Sequence, residues 1–257
     1  MGKDTIDDNK LIIEDNIVSQ KATRSNKPVG EAVSTDEQIE QFLQYYEMLV
    51  EKNKVMNLTG ITEYEEVIQK HFLDSLSLIR VIPDIASQKL TVIDLGTGAG
   101  FPGIPLKIAF PELEITLMDS LNKRILFLQE VIDALGLKKV SAVHGRAEEM
   151  ASNATHRQQY DLCVSRAVSN LAVLTEYCLP FVKKGGLFVS YKSADSDAEI
   201  QEGKKAISIL GGKLTSVDKF QLPDSDLRRA LVCIKKVKDT PKKYPRKAGT
   251  PAKLPLK

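Results

Sequence analysis

Cysteine and histidine are scarce, three of each in 257 residues. Cys163, Cys178 and Cys233 stand far apart and form no C-x-x-C pair. That excludes a disulfide scaffold, and with only three His no zinc-ligand spacing can be assembled. Small buried thiols in a reducing cytosol are the expectation. No apolar run approaches the ~18 residues of a membrane span. The start, MGKDTIDDNK, lacks the apolar segment of a secretory signal. Gly2 follows Met1, but Ile6 stands where a myristoylation signal has Ser or Thr. A soluble cytoplasmic protein without membrane contact is expected. The 42% hydrophobic residues suffice for a core and exclude a disordered chain. The length suits one large domain, or one domain with an appendage.

Net charge is also small, +2, but it is unevenly spread. From Lys235 to Lys257 there are nine Lys+Arg and one acid, Asp239, so this end carries +8 and the other 234 residues −6. A basic end on an acidic body suggests one patch that meets a polyanion. Pro241, Pro245, Pro251 and Pro255 argue against a helix there and for an extended strap. Residues 1–35 mix five basic with six acidic residues and few apolar ones, as in a flexible extension.

From Thr35 the pattern changes. Ile39, Phe42, Leu43, Tyr46, Leu49 and Val50 recur at helical spacing, with Thr35 and Gln38 placed for a capping box. A second helix is expected from Glu63 to Arg80, after the turn-like NKVMNLTGIT. Strands follow at 91–96, 113–119, 138–145, 160–165 and 185–192. Helices fit at 103–110, 122–135, 169–181 and 195–210. Such alternation implies a parallel sheet covered on both faces. KLTSVDKFQLPD and LRRALVCIKKV then form two strands joined by a link at 224–226, too short for a parallel crossover and therefore antiparallel. The expected fold is α/β, Rossmann-like, with a mostly parallel seven-stranded sheet, a C-terminal antiparallel hairpin and a helical N-terminal cap. That is the layout of class I S-adenosylmethionine-dependent methyltransferases. The expected divisions are 1–35, 36–82 for the cap, 83–237 for the sheet domain and 238–257 for the tail.

The strongest motif is TVIDLGTGAGFPG (91–103). Gly96, Gly98 and Gly100 allow a left-handed backbone and close approach of a ligand, at the switch point of a parallel sheet. Gly98 to Gly103 also matches the G-x-G-x-x-G of dinucleotide sites. Against a nicotinamide cofactor, Phe101-Pro102 sits where a pyrophosphate needs free N–H groups. Asp94, two residues before Gly96, makes the D-x-G-x-G-x-G pattern of S-adenosylmethionine sites, and its charge suits a cationic sulfonium. An NAD(P)-dependent oxidoreductase and a non-catalytic RNA-binding module remain as alternatives. Asp119 ends the second strand, where a carboxylate can accept from ribose hydroxyls; its other role is a helix N-terminal acid. The segment Gly145-Arg146-Ala147-Glu148-Glu149 is placed either to read an adenine edge or simply to start a helix. Arg166, ending the fourth strand, is costly to bury unless it is paired or meets a ligand. Lys192 after the fifth strand and His71 on the second helix are weaker candidates.

These segments together resemble the bacterial small-subunit ribosomal RNA methyltransferase G family, also called the glucose-inhibited division protein B family. The resemblance lies in NLTGI (57–61), HFLDSL (71–76), DLGTGAGFPGIPLKI (94–108), MDSLNKRILFL (118–128), GRAEE (145–149), SRAV (165–168) and YPRKAGTPAKLPL (244–256). It implies methylation of N7 of one guanine in 16S ribosomal RNA, naked or in the small ribosomal subunit. A monomer is expected. It implies cofactor contacts at Gly96, Gly98, Phe101, Asp119, Ala147, Glu148 and Arg166. Contacts to RNA are expected from His71, Arg146, Lys192, Arg246 and Lys247, with Arg146 and Arg166 nearest the reacting base. Guanine N7 carries a lone pair and no proton, so no general base is needed. One departure stands out. The family usually has a Trp-Asn pair before NLT, whereas here Lys52-Asn53 stands there and the chain has no Trp.

Overall fold

Apolar residues alternate along the strands, so each strand feeds two cores. Val92, Leu162, Val164 and Val189 point into one, Ile93, Cys163 and Phe188 into the other. A computed structural model describes residues 35–223 and 225–256. The extension expected over 1–35 lies outside the described residues apart from Thr35.

Seven strands form one sheet: β1 (Thr91–Leu95), β2 (Glu114–Asp119), β3 (Val140–His144), β4 (Tyr160–Arg166), β5 (Val182–Ser193), β6 (Gly212–Gln221) and β7 (Arg228–Lys236). Their order is β3-β2-β1-β4-β5-β7-β6. β1 to β5 pair in parallel, and β7 runs antiparallel between β5 and β6. The order reverses between β1 and β4, which opens a crevice at the carboxyl ends of the strands.

The helices are α1 (Asp36–Met56), α2 (Tyr64–Val67), α3 (Asp74–Leu76), α4 (Gly103–Ala109), α5 (Asn122–Ala134), α6 (Ala147–Met150), α7 (Leu171–Cys178), α8 (Asp197–Ile209) and α9 (Thr250–Lys253). The capping box forms: Gln38 N–H donates to Thr35 Oγ1 and Thr35 N–H to Gln38 Oε1. The Gln38 amide also donates to Ile108 O at 2.8 Å, docking α1 on α4. The buried α1 face, Ile39, Phe42, Tyr45 and Leu49, joins the core shared with α4 and α5. α7 and α8 cover the other sheet face. Lys52 reaches Glu130 on α5 at 2.7 Å, an ion pair on the rim.

The second expected helix is present but not uniform. Between α2 and α3 the chain widens into a π-helical turn, Ile68–Leu73. Its Lys70 and His71 carbonyls face the Arg166 guanidinium and accept from Nη1 at 3.3 and 3.4 Å. Periodicity alone does not show such a turn, because it depends on a donor from another element; π turns concentrate at functional sites.

The tail corrects an expectation. It is not an extended strap throughout, because α9 is a helical turn. Pro251 sits in its first turn, where a missing N–H costs nothing. The tail is also docked along its length. Arg157 donates to the carbonyls of Thr240 and Tyr244, both at 2.9 Å, and Tyr244 is buried. Glu176 on α7 is fully buried and accepts from Arg246 N at 2.8 Å, Nε at 2.9 Å and Nη2 at 2.6 Å. A buried carboxylate is stable only while its partner stays. Arg246→Ala should therefore lower the unfolding free energy by about 3 kcal/mol, the low end for a broken buried pair, because the Arg246 side chain is 24% exposed. Urea unfolding checks this, and an unchanged midpoint would contradict it.

Candidate active site at the carboxyl ends of the parallel strands

The glycine loop leaves β1 and turns at once. Gly96 N–H and Thr97 N–H both donate to Met118 O on β2, at 2.8 and 3.1 Å. Gly96, Gly98 and Gly100 all have positive φ, at 71°, 63° and 111°. They serve different ends. A Cβ at Gly100 would meet the Tyr45 hydroxyl at 2.8 Å, so that glycine lets α1 approach; at Gly98 nothing lies within 4 Å. Tyr45 Oη donates to Ala99 O at 2.7 Å and holds the loop from the cap side.

Asp94 is fully buried. Its Oδ2 accepts from Thr97 Oγ1 at 2.7 Å and Gly103 N at 2.8 Å. The carboxylate thus ties the loop to the start of α4. Burial outweighs these hydrogen bonds and pushes its pKa up to about 6. It does not line the cavity, which corrects the expectation that Asp94 answers a ligand's positive charge. Asp119 lies nearer that role. It is 2% exposed; its Oδ2 accepts from Gly98 N at 3.0 Å and Arg124 Nη1 at 3.1 Å, and its Oδ1 from Leu121 N at 2.9 Å.

These groups border a cavity of about 480 Å³, within the range of small-molecule sites. Leu95 and Gly96 form one side, Met118, Asp119 and Arg124 another, and Gly145, Arg146, Ala147 and Glu148 a third. Ala167, Val168 and Tyr177 close the fourth, and Gly249 and Ala252 of the tail complete the wall. Gly249 N–H donates to Glu148 Oε1 at 3.0 Å.

A second cluster sits beside the cavity, under the cap. Arg166 ends β4, and its Nη1 donates to Asp74 Oδ2 at 2.9 Å. Its Cζ lies 5.0 Å from the centre of the Phe101 ring, which stacks on the His71 ring at 4.4 Å. The next residue, Ala167, takes φ +56° and carries the chain from this cluster into the cavity wall. Burial and the neighbouring Arg166 charge push the His71 pKa down to about 3, so the ring is neutral.

The candidate residues therefore divide. Gly96, Asp119, Ala147, Glu148 and Arg146 line the cavity. Gly98 adjoins it through its bond to Asp119. Phe101, Arg166 and His71 do not line it and belong to the second cluster. Lys192 is bound to Ser169 O and Glu199, both at 2.6 Å. Arg246 is bound to Glu176, whereas Lys247 is exposed. Reading the sequence overlooked Asp74, Glu176 and Gly249. Two of these left a signal. Asp74 lies three residues after His71, on the same helical face. Glu176 is a lone acid in the apolar run LAVLTEYCLPF, which needs a partner. Among the described residues no group of His, Cys, Asp and Glu could hold a metal ion, and no helix is long and apolar enough to cross a membrane.

The sheet order, the reversed β7 and the glycine loop define the fold of class I S-adenosylmethionine-dependent methyltransferases. A solved structure agrees in fold: a chain from a complex of the Haloferax volcanii Trm112 methyltransferase activator superposes with a TM-score of 0.55 at 13% identity, covering 74% of this chain and 98% of that one. A family model described as rRNA small subunit methyltransferase G matches residues 38–232. The ribosomal RNA small subunit methyltransferase G of Lachnoclostridium phytofermentans is 59% identical over 85% of this chain and 90% of its own. That of Alkaliphilus metalliredigens is 55% identical over 86% and 92%. The chain belongs to the rRNA small subunit methyltransferase G family and is a methyltransferase. That membership sets aside the nicotinamide oxidoreductase alternative.

A Cβ at Gly96 would stand 2.5 Å from Val168 Cγ2 in the cavity wall. Gly96→Arg should fill the cavity and weaken binding of S-adenosylhomocysteine by at least about a hundredfold, roughly 2.7 kcal/mol. Isothermal calorimetry reads this directly, and an unchanged dissociation constant would refute the site.

Proposed function

We propose that this chain binds S-adenosylmethionine in the cavity and methylates N7 of one guanine in 16S ribosomal RNA. The carrying observation is Asp119 at the end of β2, facing a cavity of about 480 Å³ beside the glycine loop in a chain of this family. A carboxylate offers about four acceptor positions. Asp119 uses three, one of them for Arg124, whose side chain is 32% exposed and can yield. That leaves room for two ribose hydroxyls. The N–H groups of Ala147 and Glu148 open α6 at the cavity wall and have no acceptor within the helix, which supports a contact with an adenine edge. The group thus fits the residues present.

S-adenosylmethionine, when bound, offers a methyl carbon on a positively charged sulfur. A guanine N7 lone pair could take up that methyl group, leaving a neutral thioether, with no proton for the protein to remove. The protein's work is therefore alignment, for which roughly 7–11 kcal/mol is attainable. The cap packs against the loop through Tyr45, Phe72 and Phe101, all buried. An unstacked loop guanine suits the site, because base edges inside an A-form duplex are hard to reach. RNA phosphates are met by exposed Lys242, Lys243 and Lys247 of the tail, with Arg146 at the cavity. Arg246 serves the tail's own docking instead.

The test is methyl transfer from labelled S-adenosylmethionine to ribosomal RNA from cells lacking this gene, supplied naked and as small subunits. Label recovered as N7-methylguanine in one 16S fragment is the expected result. Label elsewhere, or none with either form, would overturn the acceptor assignment. Replacing Lys242, Lys243 and Lys247 together by Gln should flatten the dependence of log binding constant on log salt by about 0.7 per lost phosphate contact. An unchanged slope would remove the tail from the RNA interface.

A further inference from the structure

Two sequence motifs, NLTGI and HFLDSL, contribute nothing to the cavity wall, yet they supply one connected set of polar contacts that ends on Arg166. Asn53 Oδ1 accepts from Thr59 N–H at 2.9 Å. Thr59 Oγ1 lies 2.8 Å from His71 Nε2, and His71 Nδ1 lies 3.3 Å from Arg166 Nη2. A guanidinium only donates, so Nδ1 is the acceptor and the single ring proton sits on Nε2, donated to Thr59. Three residues on, Asp74 is 3% exposed. Its Oδ2 accepts from Arg166 Nη1 at 2.9 Å and its Oδ1 from Arg229 Nε, on β7, at 3.2 Å. The carboxylate plane is thus fixed from two strands.

A guanidinium carries five N–H donors in a rigid plane. The Nη1 donors go to Asp74 and to the carbonyls of Lys70 and His71, and one Nη2 donor goes to His71. Nε–H and one Nη2–H meet no acceptor among the described residues, and the guanidinium edge made by Nε and Nη2 can present two parallel donors. Such a pair matches a carboxylate in bidentate geometry. The Phe101 ring supports the guanidinium face, with Cζ 5.0 Å from its centre. Arg166 directly precedes the cavity-lining pair Ala167 and Val168.

We infer that Asp74, together with His71, is a positioning residue that aims the two remaining N–H donors of Arg166 at the amino-acid carboxylate of the bound methyl donor. This rests on the S-adenosylmethionine reading above. Without Asp74 the guanidinium loses its fixed end and its rotamer, and the donor's amino-acid arm loses a pre-aligned partner, whereas the adenosine end is untouched. The neutral state of His71 serves the same end, because a protonated ring would repel the guanidinium that it now orients.

Two ligands separate this role from a merely structural one. S-adenosylhomocysteine carries the amino-acid carboxylate; 5′-methylthioadenosine lacks it. Calorimetry on the full chain with Asp74→Asn should show S-adenosylhomocysteine affinity reduced about tenfold or more, the scale of a lost charge-assisted contact, and 5′-methylthioadenosine affinity unchanged. In an Arg166→Lys background, Asp74→Asn should cost less than about twofold, because the residue acts through the fork that has already been removed. His71→Phe keeps a ring against Phe101 but removes the acceptor, and it should give the same pattern if Asp74→Asn does not fold. Equal losses for both ligands, an unchanged S-adenosylhomocysteine affinity, or an undiminished loss in the Arg166→Lys background would overturn the positioning role. A wild-type chain that binds neither ligand would instead overturn the donor reading beneath it.

Discussion

β1 is hydrogen-bonded in parallel on both sides, and the site depends on that. Its register with β2 pairs Leu95 with Met118, and its register with β4 pairs Asp94 with Val164. Parallel neighbours end at the same edge, so the three chains that leave β1, β2 and β4 emerge together. Met118 O then receives both Gly96 N–H and Thr97 N–H. Asp119 lies one residue further along β2 and reaches Gly98. Arg166, at the end of β4, is left facing the cap. A slip of one residue would exchange the two faces of a strand and turn Asp94 or Asp119 into the wrong core.

Buried acids organise the rest. Asp94, Asp119, Asp74 and Glu176 are each at most 3% exposed, and each ties one element to another. Asp94 links β1 to the start of α4, and Asp119 links β2 to the glycine loop. Asp74 joins the cap to β4 and β7; Glu176 joins α7 to the tail. A buried charge pair adds little net stability over apolar packing, yet breaking one is costly. The ion-paired acids, Asp119, Asp74 and Glu176, therefore serve geometry more than stability. They set where Gly98, Arg166 and the tail may lie.

The basic tail takes on a different character in this light. Its charge marks it as a partner for a polyanion, but Arg246 is spent on Glu176 and Gly249 is spent on Glu148. Lys242, Lys243 and Lys247 stay exposed. One segment thus walls the cavity and carries exposed positive charge outside it.

The alternating elements, the hairpin, the capping box at Thr35 and the glycine loop were all legible in the chain, because they depend on local periodicity, turn length and backbone preference. Asp119 was legible too, since the end of a strand beside that loop is a defined place. The division of the candidates was not. Asp94 and Asp119 are both acids at strand ends, yet one caps a helix and the other borders the cavity. Arg246 and Lys247 are adjacent bases, yet one is paired and the other exposed. Phe101 sits in the glycine loop but packs under the cap. Such differences arise from partners on other elements, as far apart in the chain as Asp74 and Arg229. Local preference decides which elements form and in what order. Which buried charge meets which partner is decided only when the sheet brings those elements to one edge, because desolvation and pairing act on distances in space.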